Sequence, residues 1–219
     1  MLLLLSIFVV LVAGTGLHTP NPLREKYSFD HDTKWNCFYR SSTPVKGLNP
    51  AIWRHDKFGS LIMAGLNYNC SGCLCYTFDH RIPLDALNKK TLPANLAQAF
   101  SGIHNCQVLS YRANMIKGSN EDSAFPYDQA QFGCDKKTMA LFAAKDYSVC
   151  RELERLLLTE DRREEIEKHY RNYLQGPHFL DPEKVGRSHT KYFTTLYDQA
   201  EALGRKIHDY FNPPKAVDV

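Results

Sequence analysis

Hydrophobic and polar positions divide the chain into three parts with different patterns. Residues 2–13 are apolar except for Ser6. From about residue 50 to 120, short β-favouring pieces alternate with polar breaks. From Lys137 onward, apolar residues recur every three or four positions, which is the spacing of one face of an α-helix. The pattern predicts an α+β protein, in which a small mixed domain follows an N-terminal apolar helix and precedes a C-terminal helical extension.

The apolar start, residues 1–18, fits two kinds of segment. A secretory signal has an apolar stretch of ~7–15 residues that ends in small residues, and small residues do follow here at 14–16. A helix that crosses a bilayer needs ~17–25 apolar residues, which this run reaches only if Leu17 and its small neighbours are included. We therefore expect either a signal peptide or a membrane anchor. Either one makes the protein exported or membrane-associated.

The remaining boundaries follow from turn-forming and helix-forming residues. Residues 19–49 are rich in Pro, Asn, Asp and Ser, which favour turns, and predict an irregular linker. The mixed domain is then placed at 50–125 and the helical extension at 126–219. Within the extension, Thr159 is a predicted N-cap, because acidic residues follow it in the first turn. Pro177 ends that helix, and residues 188–211 predict a final helix.

Charge and cysteine content exclude few binding partners and few states of the cysteines. The chain has 219 residues with 27 Lys and Arg against 24 Asp and Glu, a net charge of +3. A protein that coats nucleic acid is usually far more basic, so the overall charge does not identify a partner. Seven cysteines are an odd number, so disulfides alone would leave one thiol over. Disulfides, buried thiols and a structural zinc site all remain open.

The candidate zinc site rests on a short spacing. Cys70 and Cys73 form a Cys-x-x-Cys pair, which is half of a typical structural zinc site. Cys75 and Cys106 are the nearest candidates for the other two ligands. Because there is no second Cys-x-x-Cys pair in the sequence, the spacing alone does not decide between Zn²⁺ and the other two states.

A second group of polar residues has the composition of a hydrolytic site. Asp79 and His80 end a predicted strand, Asn105 begins the next one, and Asn114 and Lys117 fall on a predicted helix that follows. A carboxylate and an amide oxygen suit Mg²⁺, and an imidazole can take a proton from an attacking water. Asn105 could hold the loop that follows His80, and Lys117 could contact a phosphate. These are the parts that metal-assisted phosphodiester hydrolysis needs.

The order and spacing of these residues resemble the HNH endonuclease family. Its motif pairs Asp-His with a later Asn, and a second Asn follows nine positions on, with Lys three positions beyond. Residues 53–59, Trp-Arg-His-Asp-Lys-Phe-Gly, and 69–75, Asn-Cys-Ser-Gly-Cys-Leu-Cys, resemble a eukaryotic branch found in plants and protists. In that branch a Cys-x-Gly-Cys-Leu-Cys run leads into the Asp-His strand. The resemblance covers about a third of the chain.

The resemblance implies a ββα-metal fold for the mixed domain and a role for each residue. His80 would be the general base, Asn105 and Lys117 would complete the catalytic set, and Asp79 and Asn114 would bind Mg²⁺ or Mn²⁺. The substrate would be DNA or RNA. One feature departs from the family, because its Pro-x-Ser-x-Gly-Gly turn is replaced by a longer segment. Within this segment, residues 92–100 predict a short helix at the entrance of the site.

Two functions are consistent with these patterns. The first is a metal-dependent HNH endonuclease that hydrolyses nucleic-acid phosphodiesters. The alternative is a catalytically inactive HNH-fold accessory subunit of an organellar membrane complex, for example a mitochondrial one. In the second case residues 1–18 would contact the membrane and the helical extension would bind other subunits. The apolar N-terminus, the altered loop, the modest net charge and the added helices support the alternative, whereas the intact polar residues of the motif favour the endonuclease.

Overall fold

The chain forms helices packed around two small antiparallel sheets, and the α+β class predicted from the sequence is confirmed. A computed structural model describes residues 22–66, 74–118, 147–179, 181 and 189–213, with side chains for all of these except 189–197. The helices are α1 (Pro22–Lys26), α2 (His31–Arg40), α3 (Ala94–Phe100), α4 (Tyr111–Lys117), α5 (Ser148–Leu157), α6 (Glu160–Gln175) and α7 (His189–Phe211). The strands are β1 (Thr43–Pro44), β2 (Trp53–His55), β3 (Leu61–Met63), β4 (Tyr76–His80) and β5 (Cys106–Ser110), and Leu84–Leu87 form a 3₁₀-helix.

The first sheet has the order β1-β2-β3 and supplies much of the main core. In its register Thr43 pairs with His55, and Trp53 pairs with Met63. Trp53 is fully buried, and its indole Nε1 donates a 2.9 Å hydrogen bond to Glu154 of α5. This bond satisfies the polar atom of a buried aromatic side chain and ties the sheet to the helical extension.

The second sheet is a pair of strands that leads directly into a helix. β4 and β5 are antiparallel, with Tyr76 opposite Ser110 and His80 opposite Cys106. The Ser110 hydroxyl accepts a 3.2 Å hydrogen bond from the Ala113 amide and thereby caps α4. α4 then packs against both strands. The predicted strands, the helix that carries Asn114 and the short helix near residues 92–100 are all confirmed.

The prediction of an irregular linker over residues 19–49 is wrong for α2. Asp30 caps this helix by accepting a 2.6 Å hydrogen bond from the Thr33 amide. Trp35, Phe38 and Tyr39 are buried, and their spacing of three and four residues forms one apolar face. Polar residues on the other face gave the segment a turn-like composition, but burial of the aromatic face stabilises the helix.

The helical extension packs into the same core as the first sheet. The Thr159 hydroxyl caps α6 by accepting a 3.3 Å hydrogen bond from the Arg162 amide, as predicted. The Tyr39 hydroxyl donates a 3.0 Å bond to the Ile166 carbonyl of α6. At Gly65, which has φ +92°, an added Cβ would lie 2.8 Å from a Leu158 methyl carbon, so this turn requires glycine. The described part of the extension is therefore not an independent body.

A second, smaller core lies beside the first. It contains buried residues of α1, the 3₁₀-helix, α3, α7 and the segments that follow α1 and precede α3: Leu23, Tyr27, Leu87, Leu92, Phe100, Leu203 and Ile207. The end of β4 lies where the two cores meet, because His80 contacts Phe100 of the second core while Tyr76 and Phe78 of the same strand pack in the first.

Two sequence predictions fall on residues that the structure does not describe. Residues 1–18, the predicted signal peptide or anchor, lie outside the described ranges. So does the part of the helical extension that precedes residue 147. Among the helices that are described, none combines the length and the apolar character needed to cross a membrane.

Candidate active site

His80 ends β4 and is held on three sides. Its Nε2 lies 2.9 Å from the Tyr27 carbonyl oxygen. A carbonyl only accepts hydrogen bonds, so Nε2 carries the proton and Nδ1 keeps its lone pair. Phe29 stacks on the ring at 4.2 Å between centroids and Phe100 stacks at 5.1 Å. The orientation and the tautomer of the imidazole are both set by these contacts.

The surroundings keep His80 neutral. Burial, the largest effect, and the positive charges of Lys117 and Arg24 together lower its pKa from 6.5 to about 4. The hydrogen bond to Tyr27 opposes this change and raises the pKa. At pH 7 the ring is therefore uncharged, which is the state that can accept a proton.

Asp79 and Lys117 form an ion pair between β4 and α4. The Lys117 Nζ lies 2.8 Å from Asp79 Oδ2, and the same oxygen accepts a 2.9 Å hydrogen bond from Gln107 Nε2. The side chain of Lys117 is 0% exposed and that of Asp79 is 15% exposed. Lys117 was predicted to contact a phosphate, but in this structure its ammonium is buried against a carboxylate. The predicted contact would require this ion pair to open.

Asn114 shares a helix face with Lys117. The two residues are three apart on α4 and therefore point to the same side of the helix. Since Lys117 reaches Asp79, Asn114 lies on the side of α4 that packs on β4. Its side chain is partly buried. The predicted metal ligands Asp79 and Asn114 are thus on one side of the hairpin, and the charge of Lys117 is close enough to His80 to lower the pKa of its ring.

Asn105 holds both ends of the long loop between β4 and β5. Its Oδ1 accepts a 2.8 Å hydrogen bond from the Ile82 amide, and its Nδ2 donates a 2.9 Å bond to the Phe100 carbonyl. Its own backbone carbonyl accepts a 2.8 Å bond from the Arg81 amide. The side chain is fully buried. Asn105 therefore orders the residues that follow His80, and any part in catalysis remains a prediction.

The candidate zinc site at Cys70, Cys73, Cys75 and Cys106 does not agree with the structure. Cys106 is joined to Cys37 of α2 by a disulfide, and Cys75 is also disulfide-bonded. A sulfur in a disulfide is not the thiolate that binds zinc. Cys70 and Cys73 lie outside the described residues. Sequence spacing could not indicate the partner of Cys106, because Cys37 is 69 positions away.

Asp56 supports the site although sequence reasoning assigned it no role. Its Oδ1 accepts hydrogen bonds of 3.0 and 2.8 Å from the amides of Phe58 and Ser60, and its Oδ2 accepts one of 2.9 Å from the Ser110 amide. Burial raises the pKa of this carboxyl group to about 6, while these three bonds lower it. Asp56 thereby ties the β2–β3 turn to the start of α4. Asp56 belongs to the Trp-Arg-His-Asp segment that resembles the HNH family, and this resemblance could have indicated its importance from the sequence.

A cavity of about 830 Å³ lies next to the loop that Asn105 holds, between this loop and α7. Arg81, Lys90 and Arg205 contribute positive charge to its lining, and Glu201 and Asp209 contribute negative charge. The cavity therefore has a small excess of cationic groups close to the end of β4.

Comparison with known proteins adds no further assignment. The chain matches no protein-family model, and neither the curated proteins nor the solved structures include a significant match.

Proposed function

We propose that β4, β5 and α4 form an HNH-type ββα-metal centre that hydrolyses nucleic-acid phosphodiesters with one divalent metal ion. The observation that supports this most directly is the state of His80. The bond from Nε2 to the Tyr27 carbonyl leaves Nδ1 as the acceptor on a neutral ring. A general base requires this arrangement, and an enclosed histidine with a strongly shifted pKa is a candidate functional residue.

In this proposal each predicted residue has a distinct task. His80 Nδ1 accepts the proton of the attacking water, and Asn105 holds the loop that follows it. Asp79 and Asn114 supply a carboxylate and an amide oxygen for Mg²⁺ or Mn²⁺. The bound ion would polarise the phosphoryl oxygen as a Lewis acid. Lys117 shares the Asp79 carboxylate, so metal binding has to compete with its ammonium, which predicts a weak metal affinity.

The cavity beside the site is the proposed path for the nucleic-acid backbone. Arg81 is buried, whereas Lys90 and Arg205 have exposed side chains. Lysine and arginine contacts to phosphates contribute salt-dependent affinity without sequence selectivity. The neighbouring Lys89 extends this cationic surface, so replacing both lysines should weaken nucleic-acid binding in the proposed nuclease.

A specific observation also favours a second candidate, a catalytically inactive accessory subunit. The Asp79 carboxylate is already neutralised by a buried ammonium, and the His80 ring lies between two phenyl rings. Both features stabilise a fold without any substrate. In this case the surface formed by α5, α6 and α7 would bind other subunits of a membrane complex, for example a mitochondrial one. Residues 1–18 would contact the membrane.

Cleavage of nucleic acid by the purified full chain separates the two candidates. Supercoiled plasmid and single-stranded RNA are incubated with Mg²⁺ or Mn²⁺, and parallel samples contain EDTA. Loss of a general base costs ~10²–10⁴-fold in rate, so His80→Ala should nearly abolish cleavage. The matched control is His104→Ala, because His104 is exposed and bonds to Gln199 rather than to the hairpin.

The outcomes are distinct. Metal-dependent cleavage that falls in His80→Ala and persists in His104→Ala supports the nuclease. If wild type shows no metal-dependent cleavage, or if His80→Ala cleaves as fast as wild type while its circular dichroism is unchanged, the nuclease proposal is refuted. Stoichiometric purification of the native protein with a membrane complex would then support the accessory subunit.

A further inference from the structure

Three metal-ligating side chains meet where α2 packs on α6, at a place that the proposed nuclease does not use. His31 is the first residue of α2, and Glu165 and His169 are four apart on α6, so the last two lie on one helix face. One ligand atom from each of the three residues lies within 4.8 Å of the others. The imidazole rings of His31 and His169 are 5.1 Å apart between centroids.

We propose that His31, Glu165 and His169 bind a divalent transition-metal ion, with Zn²⁺ as the best fit, and that this ion joins α2 to α6. Two imidazoles and one carboxylate leave the fourth position of a tetrahedral zinc ion for water. The nitrogen ligands disfavour Mg²⁺ and Ca²⁺, which prefer oxygen. The proposal is independent of whether the hairpin is a nuclease.

The three ligand atoms lie close to the separations that a bound ion requires. Zinc bonds of ~2.0–2.1 Å place neighbouring ligand atoms about 3.3 Å apart in a tetrahedron. The present separations of up to 4.8 Å must therefore shorten by about 1.5 Å. His31 is 67% exposed and Glu165 is 42% exposed, whereas His169 is only 19% exposed. Because both are exposed, the side chains of His31 and Glu165 have room to rotate toward the ring of His169.

The surroundings of Glu165 and His169 resemble the outer shell of a metal site. Arg162 Nη1 donates to Glu165 Oε2, and Glu165 Oε1 lies 3.9 Å from His169 Nε2. One carboxylate oxygen is thus held by a cation while the other faces the imidazole. Trp35 stacks on His169 at 4.4 Å with an angle of 11° between the planes. Such contacts orient the ligands of metal sites.

The carboxylate of Asp32 can orient the imidazole of His31. Its Nδ1 lies 3.5 Å from Asp32 Oδ1, so Asp32 can accept an Nδ1 proton when Nε2 binds the ion. In the described structure the Trp35 indole donates a 3.2 Å hydrogen bond to His31 Nε2. Since one lone pair cannot serve both partners, metal binding at Nε2 replaces this bond. Trp35 therefore reports directly on occupancy of the site.

Zinc titration of the purified full chain after removal of metal with EDTA tests the proposal. We expect wild type to bind Zn²⁺ in isothermal titration calorimetry at pH 7. His169→Phe keeps an aromatic ring against Trp35 but removes the nitrogen, and it should weaken binding at least tenfold, as should His31→Gln. The matched control is His208→Gln. His208 is 71% exposed and lies 3.3 Å from the carboxylate of Asp209, much as His31 lies beside Asp32.

Tryptophan fluorescence provides the second measurement. The chain has two tryptophans, so a zinc-dependent change in emission that disappears in Trp35→Phe assigns the site to α2. Thermal unfolding in EDTA shows whether each variant keeps the apo fold. If wild type binds no Zn²⁺, or if His169→Phe and His31→Gln bind it as tightly as wild type, the proposal is overturned. Neither result depends on nuclease activity, so the two proposals fail independently.

Discussion

The ion pair between Asp79 and Lys117 allows the sharpest test of how this protein is stabilised. We consider Lys117→Met, which removes the ammonium and keeps the length of the side chain, and Asp79→Asn, which removes the carboxylate charge and keeps the shape. The double variant removes both charges. Comparing the three with wild type isolates the energy that couples the two residues.

The geometry sets the expected magnitudes. Unit charges 2.8 Å apart attract by about 6 kcal/mol at an effective dielectric constant of 20, but desolvation of both groups offsets most of this attraction. Removing one partner of a buried pair costs about 3–5 kcal/mol, because the other charge stays buried. Lys117 is 0% exposed and Asp79 is 15% exposed. Asp79→Asn, which leaves the deeper charge, should therefore be more destabilising than Lys117→Met.

Urea denaturation followed by circular dichroism at pH 7, without reducing agent, measures these free energies. We expect about 3 kcal/mol for Lys117→Met, about 4–5 kcal/mol for Asp79→Asn and less than about 2 kcal/mol for the double variant. The m-values should stay constant, so that the midpoints report stability. A coupling energy below about 0.5 kcal/mol would refute the reasoning, since it would mean that the two charges do not stabilise each other in solution.

Three further predictions concern the same hairpin. Asn105→Ala leaves a buried carbonyl and a partly buried amide without their partner, so urea denaturation should show a loss of about 2–4 kcal/mol; a loss below about 0.5 kcal/mol would contradict it. Burial lowers the pKa of His80 to about 4, so between pH 6.5 and 4 the unfolded state binds a proton that the folded state excludes. Stability should therefore fall by about 3 kcal/mol as pH falls through this range, and His80→Phe should remove that part of the decrease; an identical pH profile would exclude it. Cys37→Ala with Cys106→Ala opens a disulfide with a sequence separation of 69 and should lower the unfolding free energy by about 4 kcal/mol, whereas an unchanged urea midpoint would argue against a stabilising disulfide.

The sequence alone predicted the elements whose signals are local. The strand that ends at His80, the strand near residues 107–110, the helix that carries Asn114 and the cap at Thr159 all follow from neighbouring residues. Hydrophobic period, β-branched content and capping side chains act within a few positions. These signals therefore survive without knowledge of the rest of the chain.

The same signals failed for α2. Its composition is polar and turn-like, and its helix is stabilised by burial of Trp35, Phe38 and Tyr39 against the first sheet and α6. Most helical stability in proteins comes from such packing rather than from intrinsic propensity. The sequence contained the spacing of three and four residues, but the surface that buries it is formed by residues distant along the chain.

The candidate site also has features that the sequence predicted and features that only the tertiary structure determined. Asp79, His80 and Asn105 were visible in the sequence as a spaced motif, and the hairpin places His80 opposite Cys106, the residue after Asn105. Tertiary structure alone decided that Lys117 is buried against Asp79 rather than at the surface, and that Cys106 pairs with Cys37 rather than with a metal. A charged or sulfur-containing side chain accepts several partners of similar energy. The one it meets is selected by the packing of the whole fold, and a motif does not encode that packing locally.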